Sequence, residues 1–475
     1  MRAKIFAEEN RRWWTLGALC FALFMIMLDN TVVNVALPAI KADLGISTSE
    51  LEWTVAAYAL TFASLLLTGG KLGDLLGRRL IFTIGLTIFT LSSLACGLSS
   101  SAPELISARA VQGVGAALMM PATLSIISHT FHARERGMAI GIWAGVSALA
   151  LAIGPLLGGI ITEHISWNWI FYVNVPIGVL AVIAAIVVVP ESKDTSNEQR
   201  LDLPGLLTSG IGLLALVYAL IEGHQYGWTS ARIIGLFVLA AVAFAAFVLL
   251  EMHQRLPLLD LSLFRNGTFL GANIVAILVT LAMFGIFVFF PIYMQTIRGW
   301  SPIQAGAALL PWTVMIVVFA PIAGKLSDRV GSRWLMGGGM VLLAASLFIF
   351  SRLDASSDFW DLLPGLIVGG FGMGLVMTPT TSAAMGSVPV DKAGVGSAVL
   401  NSMRQVGVAL GIAVIGAIIA QSVHSAPGTR QSAAEFVTGY QNALTVAALI
   451  ALAGAVLSVA TVRKYSHAEP VLEGA

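Results

Sequence analysis

Long apolar runs, separated by short polar segments, dominate the pattern of residues along the chain. Fourteen of these runs each approach the ~20 residues that a helix needs to cross the hydrocarbon core of a bilayer. They lie at about 14–37, 52–71, 79–98, 103–126, 139–162, 168–189, 204–221, 232–250, 268–291, 303–323, 334–352, 361–383, 395–421 and 440–462. The pattern predicts an all-α integral membrane protein with fourteen spanning helices.

A ten-residue segment occurs twice among these runs. Gly70-Lys-Leu-Gly-Asp-Leu-Leu-Gly-Arg-Arg79 and Gly324-Lys-Leu-Ser-Asp-Arg-Val-Gly-Ser-Arg333 are identical at six of ten positions, and each follows the second run of a set of six. An internal repeat predicts two related halves, and paired halves enclose a central substrate path in many transporters. We therefore expect two pseudo-symmetric six-helix bundles, at 1–190 and 266–475, joined by a linker at 191–265 that adds two helices.

The distribution of lysine and arginine between the two sets of loops predicts the orientation. Nineteen of these residues lie in the termini and loops of one side, and five lie on the other side. Because cytoplasmic loops carry the excess of Lys and Arg, both termini and both decapeptides are predicted to be cytoplasmic. The first run lacks a small-residue cleavage pattern at its end, so we expect a retained spanning helix rather than a signal peptide.

The composition agrees with a membrane protein and excludes several other classes. The chain is 57% hydrophobic and 11% charged, whereas soluble domains are roughly 25% charged. Its net charge of +1 gives no support for nucleic-acid binding. The seven histidines lie at helix ends and in loops without metal-ligand spacing, so neither a metal site nor a membrane enzyme is expected. Lys71 and Lys325 each precede leucine rather than Ser or Thr, which excludes a phosphate-binding loop for ATP.

Several short motifs stand at particular positions in the predicted helices. They are Leu28-Asp-Asn-Thr-Val-Val-Asn-Val-Ala-Leu-Pro38 in the first, Trp53 and Tyr58 in the second, Arg109-Ala-Val-Gln-Gly-Val-Gly115 in the fourth, Gly154-Pro-Leu-Leu-Gly-Gly159 in the fifth, Glu222-Gly-His-Gln-Tyr-Gly-Trp228 after the seventh and Arg404-Gln-Val-Gly407 in the thirteenth. Together with the decapeptides, and over nearly the whole chain, they resemble the major facilitator superfamily, and within it the fourteen-helix drug/proton antiporters of the EmrB/QacA type.

The resemblance implies a major facilitator fold in the inner (plasma) membrane of a bacterium and a transporter that works as a monomer. It implies proton-coupled efflux, or antiport, of lipophilic or amphipathic drug-like compounds by alternating access, and with it multidrug or antibiotic resistance. No cofactor is expected, since the proton gradient supplies the energy. The alternative on the same fold is a proton-coupled transporter of one particular metabolite or nutrient.

Asp29 and Arg109 are the candidates for proton coupling. Asp29 is the one carboxylate that we expect well inside a span, where an ionised acid costs roughly 2.5–3.5 kcal/mol and therefore needs a compensating role. Arg109 is expected at a similar depth in the fourth helix, so that the two can pair. The alternatives are a pair that only pins two helices together and an acid that serves as counter-ion to the cargo. With one such acid on the path, we expect monovalent or neutral lipophilic cargo.

A second group of side chains is predicted to line the substrate path. Methionine and aromatic walls suit lipophilic compounds of many shapes, and amides can bond a cargo or a proton relay. The group is Asn30, Asn34, Tyr58, Gln112, Met25, Trp143, Phe284, Trp312 and Arg404. The alternatives are hydrogen bonds between helices for the amides, core or lipid contacts for the apolar side chains, and a structural arginine bound to backbone carbonyls at position 404.

The decapeptides and the fifth helix are predicted to form gates between the halves. Glycines there allow helices to approach closely, and an aspartate at a helix junction can hold the positive N-terminus of a facing helix. We expect Asp74 to face the start of the thirteenth helix and Asp328 to face the start of the fifth. The full set is Gly70, Asp74, Gly77, Arg78, Arg79, Asp328, Arg329, Gly154, Pro155, Gly158 and Gly159. A tight turn that sets topology, and simple packing, are the alternatives.

Overall fold

The computed structural model describes residues 8–193, 202–254, 259–388, 393–425 and 429–463. Within these ranges the regular structure is helical, and we number the fourteen membrane helices α1 to α14 in chain order. They are α1 (Glu8–Leu44), α2 (Thr48–Leu76), α3 (Arg78–Leu98), α4 (Ala102–Thr130), α5 (Ala133–His164), α6 (Trp169–Tyr172 and Asn174–Val188), α7 (Leu203–Tyr226), α8 (Ala231–His253), α9 (Gly267–Ile292), α10 (Pro302–Ala308 and Leu310–Val330), α11 (Ser332–Phe350), α12 (Phe359–Gly386), α13 (Ala393–Ser422) and α14 (Arg430–Thr461). Short helical turns at Leu261–Arg265 and Tyr293–Ile297 flank α9.

These helices match the fourteen predicted spans. In the described residues 13 helices are single spans by length and hydropathy, and α5 adds a bent span whose segments Met138–Leu151 and Ile153–His164 meet at 41°. The all-α membrane fold predicted from the apolar runs is therefore confirmed. An even number of spans puts the start of α1 and the end of α14 on one side of the bilayer. We call this the termini side and the opposite one the far side.

Reciprocal side-chain hydrogen bonds define where α2 and α10 begin at the far side. Ser47 Oγ accepts from Glu50 N at 3.2 Å, and Glu50 Oε2 accepts from Ser47 N at 2.7 Å. Ser301 and Gln304 make the same two bonds at the start of α10. Each capping box satisfies backbone N–H groups that the first helical turn leaves without a carbonyl partner. The second helices of the two halves thus share this local structure as well as the decapeptide.

Glycines at the same position of the two decapeptides end α2 and α10. Gly77 has a φ of 127° and Gly331 a φ of 92°, values that side chains with a β-carbon rarely adopt. Gly77 N donates to Gly73 O at 3.0 Å, and Gly331 N donates to Ser327 O at 2.9 Å. The repeated sequence therefore forms the same turn twice, and α3 and α11 begin directly after it.

The helices pack mainly within two groups. In the first, α4 lies against α2 and α3, while α1 packs against α5 and α6. In the second, α12 packs against α10 and α11, and α14 contacts α11, α9 and α13. The inserted helices α7 and α8 form a hairpin, and α7 contacts both α2 and α13. The predicted domain limits at residues 190 and 265 stay a prediction.

Hydrogen bonds at the far side join the two groups. Gln295 Nε2, just after α9, donates to Val35 O of α1 at 2.8 Å. Ile303 N, at the start of α10, donates to Glu163 Oε2 of α5 at 2.9 Å. Each bond connects a helix end of the second half to the first half, so the far side is held closed.

Close backbone contact between α5 and α10 supports this closure. A β-carbon on Gly306 would overlap the Pro155 carbonyl oxygen, so the two helices cross with no side chain between them. Nearer mid-depth, Ser402 Oγ of α13 donates to Ala63 O of α2 at 2.8 Å. These three hydrogen bonds between the halves thus lie at the far side or near mid-depth.

Gly306→Val is expected to open the far side, because a valine side chain at the α5–α10 crossing forces α10 away from Pro155. Overpacking of this kind costs typically ~1–3 kcal/mol. Opening is reported by a cysteine that replaces Val35, because this position is fully buried in the closed form. The native Cys20 and Cys96 are replaced by alanine in the same chain. We expect a water-soluble maleimide to label this cysteine about tenfold faster in the variant, as a shift of ~1.4 kcal/mol gives.

The matched control is Gly235→Val on α8, where a β-carbon would meet no atom within 4 Å. This variant should label at the rate of the parent chain. Equal labelling rates in the two valine variants would contradict the assignment of the α5–α10 crossing as a closing contact.

Candidate functional site

A carboxylate on α1 is bound by three side chains in the interior of the first half. Arg109 Nη1 of α4 donates to Asp29 Oδ2 at 2.6 Å, and the two residues are each 1% exposed. Gln112 Nε2 donates to Asp29 Oδ1 at 3.0 Å, and Asn174 Nδ2 of α6 donates to the same oxygen at 3.3 Å. The structure therefore brings together the predicted pair and adds two amides, one of them predicted for the substrate path.

Further contacts fix the guanidinium of Arg109. Its Nη1 also donates to Gln112 Oε1 at 2.6 Å, and its Nε donates to Thr54 O of α2 at 3.2 Å. The Tyr58 ring lies under it, 4.4 Å from ring centroid to Cζ, a distance at which the ring face attracts a cation. Arg109 thus links α4 to α1 and α2 at once.

The spacing and packing of α4 place these groups. Arg109 and Gln112 are three residues apart, so they share one face of the helix. A β-carbon on Gly113 would overlap the Tyr58 carbonyl, so the absence of a side chain lets α4 approach α2. On the opposite side Gln112 Nε2 and Asn174 Nδ2 each donate to Ser93 Oγ of α3 at 3.0 Å. The network therefore spans α1, α2, α3, α4 and α6.

This arrangement can exist in two charge states. With Asp29 ionised, the pair with Arg109 is neutral overall and its hydrogen bonds are satisfied. With Asp29 protonated, the arginine charge stays buried without its counter-ion, and breaking a buried pair in this way costs about 3–5 kcal/mol. Loss of either charge therefore destabilises the observed packing of α1 against α4.

The remaining first-half candidates for the substrate path do not bond to this network. Asn30 Nδ2 donates to Ile26 O at 3.0 Å, within its own helix, and Asn34 Nδ2 donates to Asn30 O at 3.2 Å. Met25 is fully buried in the apolar core of the first half. Trp143 Nε1 of α5 donates to Thr123 Oγ1 of α4 at 3.2 Å. In this conformation the two asparagines bond within α1, whereas Met25 and Trp143 contact neighbouring helices.

The second-half candidates form two separate groups. Phe284 and Phe287 of α9 pack with ring centroids 6.5 Å apart, and Phe287 meets Trp312 of α10 at 5.7 Å. Arg404 Nη2 of α13 donates to Thr381 Oγ1 of α12 at 2.7 Å, and no Asp or Glu of the described residues pairs with it. Aromatic packing and an arginine without a counter-ion are thus the features of this half.

The decapeptide gate differs from its expectation. Asp74 Oδ1 accepts from Arg78 Nε at 2.9 Å in its own turn, rather than holding the start of α13. Arg78 is only four residues further along the chain, which places its guanidinium within hydrogen-bond distance of the Asp74 carboxylate. Arg79 Nε lies 3.7 Å from Glu191 Oε2, and a β-carbon on Gly70 would make only ordinary contact with Pro121. The Asp328 side chain lies outside the described residues, and Arg329 is exposed.

The glycines of α5 face two neighbours. A β-carbon on Gly154 would overlap Thr31 of α1, and one on Gly158 would lie 2.8 Å from the Val32 carbonyl oxygen. On the opposite half, Gly159 meets the backbone of α10 at Pro302. These positions therefore bring α5 close to α1 within the first half and to α10 across the interface, at the predicted crossing.

Carboxyl groups other than that of Asp29 are also buried, at the ends of the helices. Glu52 of α2 is 3% exposed and Glu222 of α7 is 9% exposed, and Asp202 and Glu251 are also buried. These acids fall at the ends of apolar runs, where sequence places them near water. The structure extends the helices and covers the ends with α7, α8 and α13. The expectation of monovalent or neutral cargo stays a prediction.

Two further members of the Asp29 network were also not predicted. Ser93 and Asn174 are polar residues inside apolar runs, and both are completely buried. A polar residue inside an apolar run indicates a buried hydrogen-bonding network, because buried polar groups in a bilayer need partners. Serine in a helix can instead bond to its own backbone, which hides the signal for Ser93.

Two related groups of membrane helices, the first with a buried charged network in its interior, are typical of a multi-span membrane transporter. The family model described as Major Facilitator Superfamily matches residues 19–412 and again residues 272–474. The chain belongs to the major facilitator superfamily, whose members are transporters rather than enzymes. The predicted superfamily and the multi-pass location in the inner membrane are thereby confirmed.

Named relatives and one solved structure agree with this assignment. The tetracenomycin C resistance and export protein of Streptomyces glaucescens is 35% identical over 87% of this chain and 77% of its own length. The riboflavin transporter RibZ of Clostridioides difficile is 32% identical over 96% of this chain and 98% of its own length. A bacterial homologue of the human lysosomal transporter Spinster shares the fold, with a TM-score of 0.69, 16% identity and coverage of 97% and 99% of the two chains.

Arg109→Gln is expected to destabilise the protein, because the Asp29 charge then stays buried without its counter-ion. The expected loss of unfolding free energy is about 3–5 kcal/mol, measured by thermal unfolding of the detergent-solubilised chain. Asp29→Asn combined with Arg109→Gln should recover part of the loss, since neither charge remains.

Arg232→Gln serves as the matched control, since Arg232 is exposed and stacks on Tyr226. Its unfolding temperature should stay near that of the parent. A double variant whose loss equals the sum of the two single losses would show that the pair is not energetically coupled.

Proposed function

We propose that the chain is a proton-coupled antiporter of the fourteen-helix EmrB/QacA type, which exports lipophilic or amphipathic drug-like compounds. The observation that carries the proposal is the fully buried Asp29–Arg109 pair in a superfamily transporter. Charges held inside a bilayer are costly, and titratable pairs there are typical of proton relays. The tetracenomycin C resistance and export protein, to which the chain is similar, supports the outward direction of transport.

The orientation follows from the charged loops. We take the termini side as cytoplasmic because nineteen of the loop and terminal Lys and Arg residues belong to it. The far side is then the exterior, and the structure is the form closed to the exterior. Both decapeptide turns, at Gly77 and Gly331, lie at the cytoplasmic surface.

Proton exchange then proceeds through the charge state of Asp29. In the form closed to the exterior, Asp29 is ionised and holds Arg109, so its proton has been released and cargo binds from the cytoplasm. When the far side opens, cargo leaves and Asp29 takes a proton from the exterior. The protonated chain then returns to the form closed to the exterior, where Asp29 gives its proton to the cytoplasm and pairs with Arg109 again.

The gates are proposed to move with this cycle. When the cytoplasmic side closes, Asp74 exchanges Arg78 for the positive start of α13, and Asp328 acts in the same way at the start of α5. The glycines Gly154, Gly158 and Gly159 allow α5 to rock between α1 and α10. Two six-helix bundles, with α7 and α8 as the added linker helices, are the moving bodies.

The cargo path is proposed to run between the halves and to be lined by apolar and amide side chains. Tyr58 lies next to the Asp29 network on the first half, and Trp312 and Arg404 belong to the second half. Met25, Asn30, Asn34, Trp143 and Phe284 reach the path when the helices separate. The chain acts as a monomer, since one copy holds both halves of the path.

Asp29→Asn is expected to abolish cargo-driven proton movement, because an amide at this position cannot bind and release a proton. The measurement uses purified protein in proteoliposomes that contain a pH-sensitive dye, with a panel of lipophilic cationic and neutral compounds added outside. The parent chain should give proton flux with several compounds. The variant should give the flux of empty liposomes.

The matched control is Asp43→Asn on the same helix. Asp43 is exposed and accepts from Trp167 Nε1 at 2.8 Å, a bond that asparagine can also accept, so its proton flux should equal that of the parent. Substrate-driven flux that survives in Asp29→Asn would disprove the coupling assignment.

A transporter of one metabolite is the second candidate, and the riboflavin transporter among the relatives favours it. The same proteoliposomes separate the two functions. Proton flux with several chemically unrelated compounds supports drug efflux. Flux with riboflavin or one related metabolite alone would replace drug efflux by metabolite transport.

A further inference from the structure

The carboxyl group of Glu52 lies buried at the far side, and Glu222 lies near it. Glu52 belongs to the first turns of α2, and Glu222 belongs to the last turns of α7. Trp53 Nε1 donates to Glu222 Oε1 at 2.9 Å. Glu52 is 3% exposed, and no hydrogen bond or ion pair reaches its carboxyl group from the described part of the chain. A buried carboxylate without partners is costly.

The Glu52 carboxyl group is wedged between the two halves. A β-carbon on Gly416 of α13 would overlap this carboxyl group, so the group points at the α13 backbone. Because α2 and α13 belong to opposite halves, the contact exists only while the far side is closed. The missing side chain at position 416 makes the space that the carboxyl group fills.

The charged groups around Glu52 come from three helices. Glu222 of α7 repels it, and Lys41 of α1 attracts it. Lys41 Nζ donates to Thr48 Oγ1 at 2.9 Å and forms no ion pair with Glu52 within the described residues. From α4, Arg109 is bound to Asp29, and α13 faces the carboxyl group with Gly416. One lysine, Lys41, therefore lies near two buried acids, Glu52 and Glu222.

We propose that Glu52 is a second proton-binding site, and that a proton held there is required for α2 to close against α13 at the far side. A buried carboxyl group that accepts no hydrogen bond is costly to ionise, so Glu52 retains a proton in the closed form. The proposal rests on the alternating access of the proposed function, but it does not depend on Asp29 as the coupling residue.

The direction of the pH effect follows from proton linkage. Opening the far side separates α2 from α13 and exposes Glu52 to water, where it ionises more readily. The closed form then binds one proton more than the open form, so raising the pH favours opening. Over the range in which this difference holds, the ratio of open to closed molecules rises about tenfold per pH unit.

The experiment measures the far-side distance as a function of pH in the full-length chain. Nitroxide labels replace the exposed Ala42 at the far end of α1 and the exposed Thr296 after α9, with Cys20 and Cys96 changed to alanine. The background carries Asp29→Asn, so that titration of Asp29 makes no contribution. Electron–electron double resonance should show a closed population that decreases as the pH rises.

Adding Glu52→Gln should keep the far side closed at every pH and remove this response. Glu50→Gln is the matched control, because Glu50 lies two residues earlier on the same helix and glutamine preserves its capping bond to Ser47 N. The control should respond like the background chain. A response that persists in Glu52→Gln, or disappears in Glu50→Gln, overturns the proposal.

Two further variants test the proposal by the sign of their effects, even if Glu52→Gln does not fold. Glu222→Gln removes a repelling charge, so an ionised Glu52 costs less in the closed form and the midpoint of opening should move to higher pH. Lys41→Met removes an attracting charge, so an ionised Glu52 costs more in the closed form and the midpoint should move to lower pH. Shifts in the same direction, or no shifts, overturn the proposal. Loss of coupling through Asp29 would leave all these outcomes unchanged, so the two ideas fail separately.

Discussion

The cost of holding charge inside a bilayer governs how the first half of this protein is assembled. Asp29 and Arg109 can stay ionised there only because each has the other as counter-ion and because Gln112 and Asn174 complete the bonds of the carboxylate. These contacts require α1, α4 and α6 to converge at one depth. The small residue Gly113, at the approach of α4 to α2, serves that convergence.

The same helix connects the charged network to the closing contact at the far side. Arg109 Nε bonds to Thr54 O of α2, and Glu52 lies two residues earlier on that helix, against Gly416 of α13. A shift of α2 caused by a change at Asp29 therefore acts directly on the far-side interface. The inserted helix α7 contributes Glu222 to that interface, which gives the added hairpin a part in closure rather than a purely peripheral place.

Sequence reasoning could predict what depends on local pattern. The apolar runs predicted fourteen helices, the decapeptide predicted two turns that the structure forms with Gly77 and Gly331, and depth alone predicted the pairing of Asp29 with Arg109. It could not predict contacts that depend on how helices cover one another. Glu52 stands at a run's edge and becomes buried only because α13 packs over it, and Asp74 finds its nearest partner, Arg78, in its own turn.

The proposed transport depends on Asp29 gaining and losing a proton while it is buried in the membrane. Infrared difference spectroscopy on protein with isotope-labelled aspartate carboxyl groups observes this proton directly, since a protonated carboxyl group has its own C=O band. We expect a labelled band that appears as the pH is lowered, diminishes when cargo is added, and is missing in Asp29→Asn. An aspartate band that persists unchanged in Asp29→Asn, or one that never appears in the parent chain, would contradict the proposal.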